Sequence, residues 1–268
     1  MSRPDIAGAL VALDDLTRRL RTECPWDREQ DERTIVPHTL EEAYELADAA
    51  QRCDDAKLLD ELGDMLFQVH FLSLLMEERG VGDLAAVAEH CRQKLIRRHP
   101  HVFGEVEVKD AGEVLRNWDH IKQGEPDREP GIFGEIPENL PGPLYARKVQ
   151  RRAAGSGFDF QGVEAPIASV REELAEVQAA ARGDDQDERF AEVGDLLFAT
   201  VSVARALRVD PELALRASAG RFRDRVEAAA RLAADDGEVW EELSAARQLH
   251  HYDHARAAAQ RAPDQGDQ

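Results

Sequence analysis

An internal repeat is the feature that most constrains the fold of this chain. In the first half LEEAYELADAA is followed by LLDELGDMLFQVHFL, and in the second half REELAEVQAAA is followed by RFAEVGDLLFATVSV. Each copy contains an EExxE motif and then an ExxD motif, and each motif acid of the second copy stands 131 positions after its counterpart. Two such copies predict two similar units in tandem.

The spacing of apolar residues predicts an all-α chain made of two helical bundles. Apolar residues recur at helical spacing almost throughout, and the alternating runs typical of strands are nearly absent. The predicted helices are 5–22, 37–52, 55–79, 83–98, 110–123, 144–153, 164–181, 186–207, 210–232 and 236–260.

Prolines and glycines mark the boundary between the two units. Five prolines and four glycines fall between Gly124 and Pro143, and neither residue type suits a helix interior. We predict a first domain at 1–123, a linker at 124–143, a second domain at 144–260 and a polar tail at 261–268.

The charge of the chain excludes several classes of partner. With 54 acidic and 34 basic side chains, the formal net charge is −20, which disfavours binding to polynucleotides and to anionic lipid. No 18-residue apolar run is present, so no membrane span is expected. Three cysteines without a CxxC pair suit a reducing compartment, and we expect a cytoplasmic protein.

The repeated acids have the spacing of a metal site. Residues three apart share a helix face, and a short loop lets the two helices of each copy pack antiparallel, which gathers four carboxylates. All-oxygen ligation favours Mg²⁺, with Mn²⁺ as a substitute, over Zn²⁺. The predicted ligands are Glu42, Glu45, Glu61 and Asp64, and in the second copy Glu173, Glu176, Glu192 and Asp195.

The apolar residues around Asp64 and Asp195 favour a metal site over a solvated acidic helix face. Any single EExxE motif is more often a solvated helix face. Here both aspartates lie in helices that we expect to be buried on most sides, with no Lys or Arg nearby on the same face. An unpaired carboxylate there would cost at least several kcal/mol, so the pattern favours a bound cation.

Basic segments follow each acidic unit. Lys94, Arg97 and Arg98 share one helix face and are either phosphate ligands or favourable charges at a helix C-terminus. Tryptophans in these regions either stack on a base or pack in the core. Three histidines at 250, 251 and 254 have metal-ligand spacing, but their polar surroundings favour a solvated tail.

Taken together, the motifs resemble the MazG family of nucleoside triphosphate pyrophosphohydrolases in its two-domain form. The resemblance rests on EExxE and ELGDMLFQV, on CPWD before them, and on KLIRRHPHVFG and WDHIK after them. It implies an all-α, usually dimeric enzyme that hydrolyses a nucleoside or deoxynucleoside triphosphate to the monophosphate and pyrophosphate with Mg²⁺. Such an activity serves sanitation or control of the nucleotide pool.

The resemblance also assigns roles to individual residues. It places the metal ligands on the eight acids already named. In the first half the expected catalytic residues are Glu41, Glu42, Glu45, Glu61 and Asp64, with Glu41 or Glu45 as the general base. The expected nucleotide ligands are Lys94, Arg97, Arg98, Trp118, Arg221, Arg225 and Trp240.

The second copy departs from the family pattern. Ser169 stands where two-domain relatives carry a Lys, Ala219 replaces an Asn, and Asp224 interrupts the basic cluster. We therefore expect the first half to carry most of the turnover. The alternative is a nucleotide- and Mg²⁺-binding regulatory or dimerisation module with little turnover. A homodimer is expected to form through the apolar helices at 55–79 and 186–207.

Overall fold

The computed structural model describes residues 5–110, 112–114, 117, 118, 121, 131–134, 136–160 and 162–261. These residues form helices and connecting loops with no strand among them, which confirms the all-α prediction. The chain divides into two compact units, Met1–Glu125 and Pro126–Gln268. None of the helices in the described ranges is both long and apolar enough to span a membrane.

Helix α4 is the central element of the first unit. It packs against α1, α3 and α5, and its Phe71 and Leu75 form the buried core with Ile35 of α3. Burying this apolar face provides the main driving force for packing the helices together. The helices are α1 (Ile6–Glu23), α2 (Pro25–Glu29), α3 (Glu32–Gln51), α4 (Asp55–Glu78), α5 (Leu84–Arg98) and α6 (Pro100–Phe103).

The second unit is built around a similar helical hairpin. Helices α8 and α9 pack against each other as α3 and α4 do, α7 packs against α9 and α10, and α11 packs against α10. The helices are α7 (Gly142–Gly155), α8 (Glu164–Ala180), α9 (Gln186–Ala206), α10 (Pro211–Asp235) and α11 (Ala245–Arg261), with a 3₁₀ turn at Trp240–Glu242.

Most predicted helices are present with ends shifted by at most three residues, but α3 begins five residues before its predicted start. The prediction took Pro37 as the first helical residue, whereas Pro37 lies inside α3. Asp31 caps this helix by accepting from the backbone N–H groups of Arg33 and Thr34. The Thr34 hydroxyl accepts from the Asp31 N–H in return, and this reciprocal capping box fixes the start.

The predicted helix 236–260 is wrong as a continuous element. Gly237 has a positive φ of 77°, which ends α10 because only glycine adopts this conformation at low cost. A 3₁₀ turn follows, and α11 begins only at Ala245. The short helices α2 and α6 were not predicted. Part of the predicted helix 110–123, of the linker and of the tail lies outside the described residues.

Arg21 joins three segments of the first unit. Its guanidinium donates to both carboxylate oxygens of Glu78 at 2.8 Å and to the backbone oxygens of Asp27 and Gln30 at 2.6 and 3.0 Å. The Arg21 side chain is only 18% exposed. This one residue therefore ties α1 to the end of α4, to α2 and to the residue that follows α2.

We expect Arg21→Met to lower the free energy of unfolding by about 2–3 kcal/mol, because it removes the hydrogen bonds of the guanidinium to a carboxylate and to two backbone oxygens. Urea unfolding followed by circular dichroism measures the change. Arg19→Met is the matched control, since Arg19 pairs with Glu23 on the surface of α1 and is 71% exposed. Equal midpoints for the two variants would contradict the role given to Arg21.

Candidate metal centre

The first acidic cluster is formed by the hairpin of α3 and α4. Glu42 and Glu45 stand one turn apart on α3, and Glu61 faces them from the first half of α4. One carboxylate oxygen from each lies within 4.8 Å of the others. Glu61 is 2% exposed, so its charge is held almost entirely out of water.

The charges in this cluster repel one another. The pKa of Glu42 is raised above its ordinary value by burial first, and then by the nearby carboxylates of Asp64, Glu45 and Glu61. A cation bound among these groups would remove the repulsion. The single cation in contact with Glu61 among the described side chains is Lys57, whose Nζ lies 3.2 Å from Oε1.

The second cluster repeats this arrangement on α8 and α9. Oxygens of Glu173, Glu176 and Glu192 lie within 4.8 Å of one another. Burial raises the pKa of Glu192 most, followed by a hydrogen bond to Glu176 and the charges of its acidic neighbours. The Oε2 atom of Glu192 is buried without a hydrogen-bond partner.

Both clusters fit a hard divalent cation. Each offers carboxylate oxygens alone, which is the donor set that Mg²⁺ and Mn²⁺ prefer. A buried carboxylate oxygen with no partner, as at Glu192, costs free energy unless an ion or water satisfies it. The donor chemistry and the orphaned oxygen are thus both consistent with bound metal.

Two expectations about the aspartates are wrong. Asp64 and Asp195 are exposed in the single chain, because the faces of α4 and α9 that carry them are left uncovered. The buried acid is instead Glu61. Asp64 still acts on the cluster through its charge, as the largest carboxylate influence on the pKa of Glu42.

The expectation that no Lys or Arg lies near the acids on the same face is also wrong. Lys57 stands four residues before Glu61, and this i, i+4 spacing brings the two side chains into contact on one helix face. This i, i+4 spacing is visible in the sequence. The apolar residues after Asp64 give no sign of Lys57, because it lies on the other side of Glu61.

The predicted nucleotide ligands of the first unit are placed as follows. Lys94, Arg97 and Arg98 lie in the last turns of α5, and the Arg98 guanidinium lies 5.9 Å from the ring centre of Trp118. Glu41 is exposed and lies 3.4 Å from His38, outside the three-carboxylate cluster. The role of the basic residues toward a nucleotide stays a prediction.

In the second unit the predicted ligands are spread over two elements. Arg221 and Arg225 lie on α10, where the intervening Asp224 is paired with Arg223 at 3.1 Å. Trp240 begins the 3₁₀ turn, and its backbone oxygen accepts from Gln248 of α11 at 2.8 Å. Their binding roles also stay predictions.

The expectation of a solvated histidine tail fails at His251, which is 3% exposed. Its Nε2 lies 2.8 Å from Glu238. Arg247 donates to the same carboxylate at 3.0 and 3.1 Å and to Asp236 at 3.2 Å. The Arg247 guanidinium hydrogen-bonds to both acids, so this group fastens α11 to the segment that follows α10.

Comparisons with known proteins agree with this geometry. The family model described as "MazG nucleotide pyrophosphohydrolase domain" matches residues 30–103, which include the first acidic cluster. The nucleoside triphosphate pyrophosphohydrolase of Escherichia coli is 39% identical over 236 residues, covering 82% of this chain and 90% of the relative.

Two further relatives carry similar names. The nucleoside triphosphate pyrophosphohydrolase/pyrophosphatase MazG of Thermotoga maritima is 37% identical over 221 residues, covering 82% of this chain and 84% of the relative. The nucleoside triphosphate pyrophosphohydrolase of Mycolicibacterium smegmatis is 30% identical over 171 residues, covering 62% and 52%. Because the first two likenesses extend over both units, this chain belongs to the MazG family of nucleoside triphosphate pyrophosphohydrolases.

Proposed function

We propose that this protein hydrolyses nucleoside or deoxynucleoside triphosphates to the monophosphate and pyrophosphate, with Mg²⁺ as the cation and Mn²⁺ as a substitute. The observation that carries the proposal is the gathering of Glu42, Glu45 and Glu61 within 4.8 Å, repeated by Glu173, Glu176 and Glu192. The names of the relatives support the same reaction.

The acids in and beside the first cluster would have two roles, metal binding and proton transfer. Glu42, Glu45, Glu61 and Asp64 would hold the cation, which supplies Lewis-acid polarisation and neutralises phosphate charge when bound. Glu41, which lies outside the cluster beside His38, or Glu45 would accept a proton from the attacking water. In-line attack at the α-phosphorus would release pyrophosphate.

We further propose that the first unit carries most of the turnover. Its basic face of Lys94, Arg97 and Arg98 is uninterrupted, and charge neutralisation is the main requirement of phosphoryl transfer. In the second unit Asp224 already pairs with Arg223, which reduces the positive charge available to a triphosphate. The metal of the second unit would then be mainly structural. For that unit, a regulatory role with little turnover is the alternative to catalysis.

The reaction should yield a nucleoside monophosphate and pyrophosphate from a mixed triphosphate pool, and removal of divalent cations with EDTA should abolish it. Chromatography of the nucleotides together with a pyrophosphate assay identifies the products. Restoring Mg²⁺ or Mn²⁺ should restore the rate. Release of nucleoside diphosphate and orthophosphate would place attack at the γ-phosphorus and contradict the proposal.

Glu61→Gln should lower kcat by more than about 100-fold, because losing a ligand costs more than the 10–100-fold typical of outer-shell changes. Glu192→Gln, the equivalent change in the second unit, should keep most of the activity. The two variants are matched in chemistry and in repeat position, and circular dichroism checks that each remains helical. The reverse ranking of rates would assign the turnover to the second unit.

We also propose a homodimer, because both hairpins leave an apolar stripe in water. On α4 the stripe comprises Leu59, Leu62 and Leu66, which are 75, 50 and 38% exposed. The residues 131 positions later on α9 are Phe190, Val193 and Leu197, which are 81, 46 and 60% exposed. Repetition of the stripe at the same register indicates a common use as an interface.

Light scattering at micromolar concentration should give twice the chain mass of 29.9 kDa. The double variant Leu62→Glu/Val193→Glu should give the monomer mass, because buried like charges would oppose self-association. Val81→Glu/Val209→Glu is the matched control: these residues are 61 and 44% exposed but lie in the turns after the hairpins. A monomeric unaltered chain would refute the proposed dimer.

We propose a cytoplasmic location and no polynucleotide partner. All three cysteines are free thiols, two of them exposed, which suits a reducing compartment. The net charge of −20 opposes binding to the phosphate backbone of nucleic acids. Small nucleotides remain suitable substrates because the cation carries the charge needed to bind them.

A further inference from the structure

The first acidic cluster contains a resident cation of its own. Lys57 lies one turn before Glu61 on α4, and their charged atoms are 3.2 Å apart. Glu61 is 2% exposed, whereas the Lys57 side chain is 48% exposed. The ammonium thus pairs with the most deeply buried carboxylate of the cluster although about half of the Lys57 side chain is exposed.

In the second cluster an acidic residue occupies the repeat position of Lys57. Glu188 stands 131 residues after Lys57 in the repeat. No ion pair of the described residues involves Glu173, Glu176 or Glu192, and Glu192 Oε2 is buried without a hydrogen-bond partner. The corresponding carboxylate is therefore paired with a cation in the first copy, whereas in the second it hydrogen-bonds to another carboxylate, Glu176.

The neighbouring arginine does not replace the missing cation. Arg189 follows Glu188 in the first turn of α9, but its guanidinium donates to the backbone oxygens of Ala180 and Gly183. Arg189 is thus hydrogen-bonded to the end of α8 and to the loop that follows it, and not to the acids. The first cluster therefore has a paired cation, and the second has none among the described residues.

We propose that Lys57 is a counter-ion that a divalent cation must displace from Glu61, so that the first site binds the cation alone more weakly than the second. This inference rests on the proposed metal-dependent function of the clusters. At the second site no cation of the described residues pairs with the acids, and the metal is held whether or not substrate is present.

Displacement of Lys57 couples metal binding to substrate binding at the first site. Lys57 lines an open surface depression with Asp54, Asp60, Gly63 and Asp64, and it is the single basic side chain in that lining. A polyphosphate brings oxygens for the cation and negative charge for the released ammonium. Lys57 is accordingly a positioning residue: it exchanges Glu61 for a substrate phosphate.

Binding of Mn²⁺ alone, followed by the EPR signal of the free ion, tests the inference on the full chain. Glu192→Gln isolates the first site, Glu61→Gln isolates the second, and the double variant gives the background. The second site should bind Mn²⁺ more tightly than the first. Adding Lys57→Met to Glu192→Gln should tighten binding on the order of tenfold, because a positive charge beside the ion is removed.

The reciprocal substitution is made at the repeat position. Adding Glu188→Lys to Glu61→Gln should weaken Mn²⁺ binding at the second site severalfold, because it supplies the competing ammonium at i, i+4 from Glu192. Lys57→Arg is the conservative control and should leave the first-site affinity near that of Glu192→Gln alone. If Lys57→Met destabilises the metal-free protein, saturating Mn²⁺ should restore its melting temperature, since the ion then neutralises Glu61.

Kinetics with a nucleoside triphosphate supply the second readout. Lys57→Met should raise KM severalfold with a smaller change in kcat. Lys57→Arg should have a KM close to that of the unaltered chain. Unchanged or weaker Mn²⁺ binding in Lys57→Met overturns the inference even if pyrophosphate is released normally. Absence of turnover in the unaltered chain would refute the proposed function instead, and the Mn²⁺ affinities would still decide the role of Lys57.

Discussion

Repulsion among carboxylates that two packed helices hold within 4.8 Å of one another is the constraint on which both units depend. The hairpin of α3 and α4 forms because Ile35, Phe71 and Leu75 leave water together. The same packing forces Glu42, Glu45 and Glu61 into one place, at a cost that the apolar core must offset. A cation that binds these acids in the folded state, and not in the unfolded state, therefore stabilises the fold and also neutralises the charge of the site.

The helices and their pairing followed from the sequence because they depend on local patterns. Apolar periodicity located the long helices, and the repeat predicted that the acids of each copy would meet. Failures came where a local signal was ambiguous. Pro37 suits the first turn of a helix, but Asp31 and Thr34 cap α3 earlier. At Gly237 the missed signal was a glycine able to end α10 with a positive φ.

Burial of individual acids could not be predicted in the same way. Which face of α4 meets α3 decides that Glu61 is buried and Asp64 is exposed, and the apolar run after Asp64 does not reveal that face. The error about Lys57 has a different origin. Its i, i+4 relation to Glu61 was readable, but its importance appears only when Glu61 is known to be the buried member.

Duplication explains how one chain contains two nearly equal acid clusters with different surroundings. Both copies contain the acids that would hold a cation. The residues around them differ between the copies: Lys57 corresponds to Glu188, and the basic run of α5 corresponds to a segment interrupted by Asp224. Since these neighbours set the charge that a metal or phosphate meets, the two copies can keep one architecture while dividing catalysis and metal retention between them.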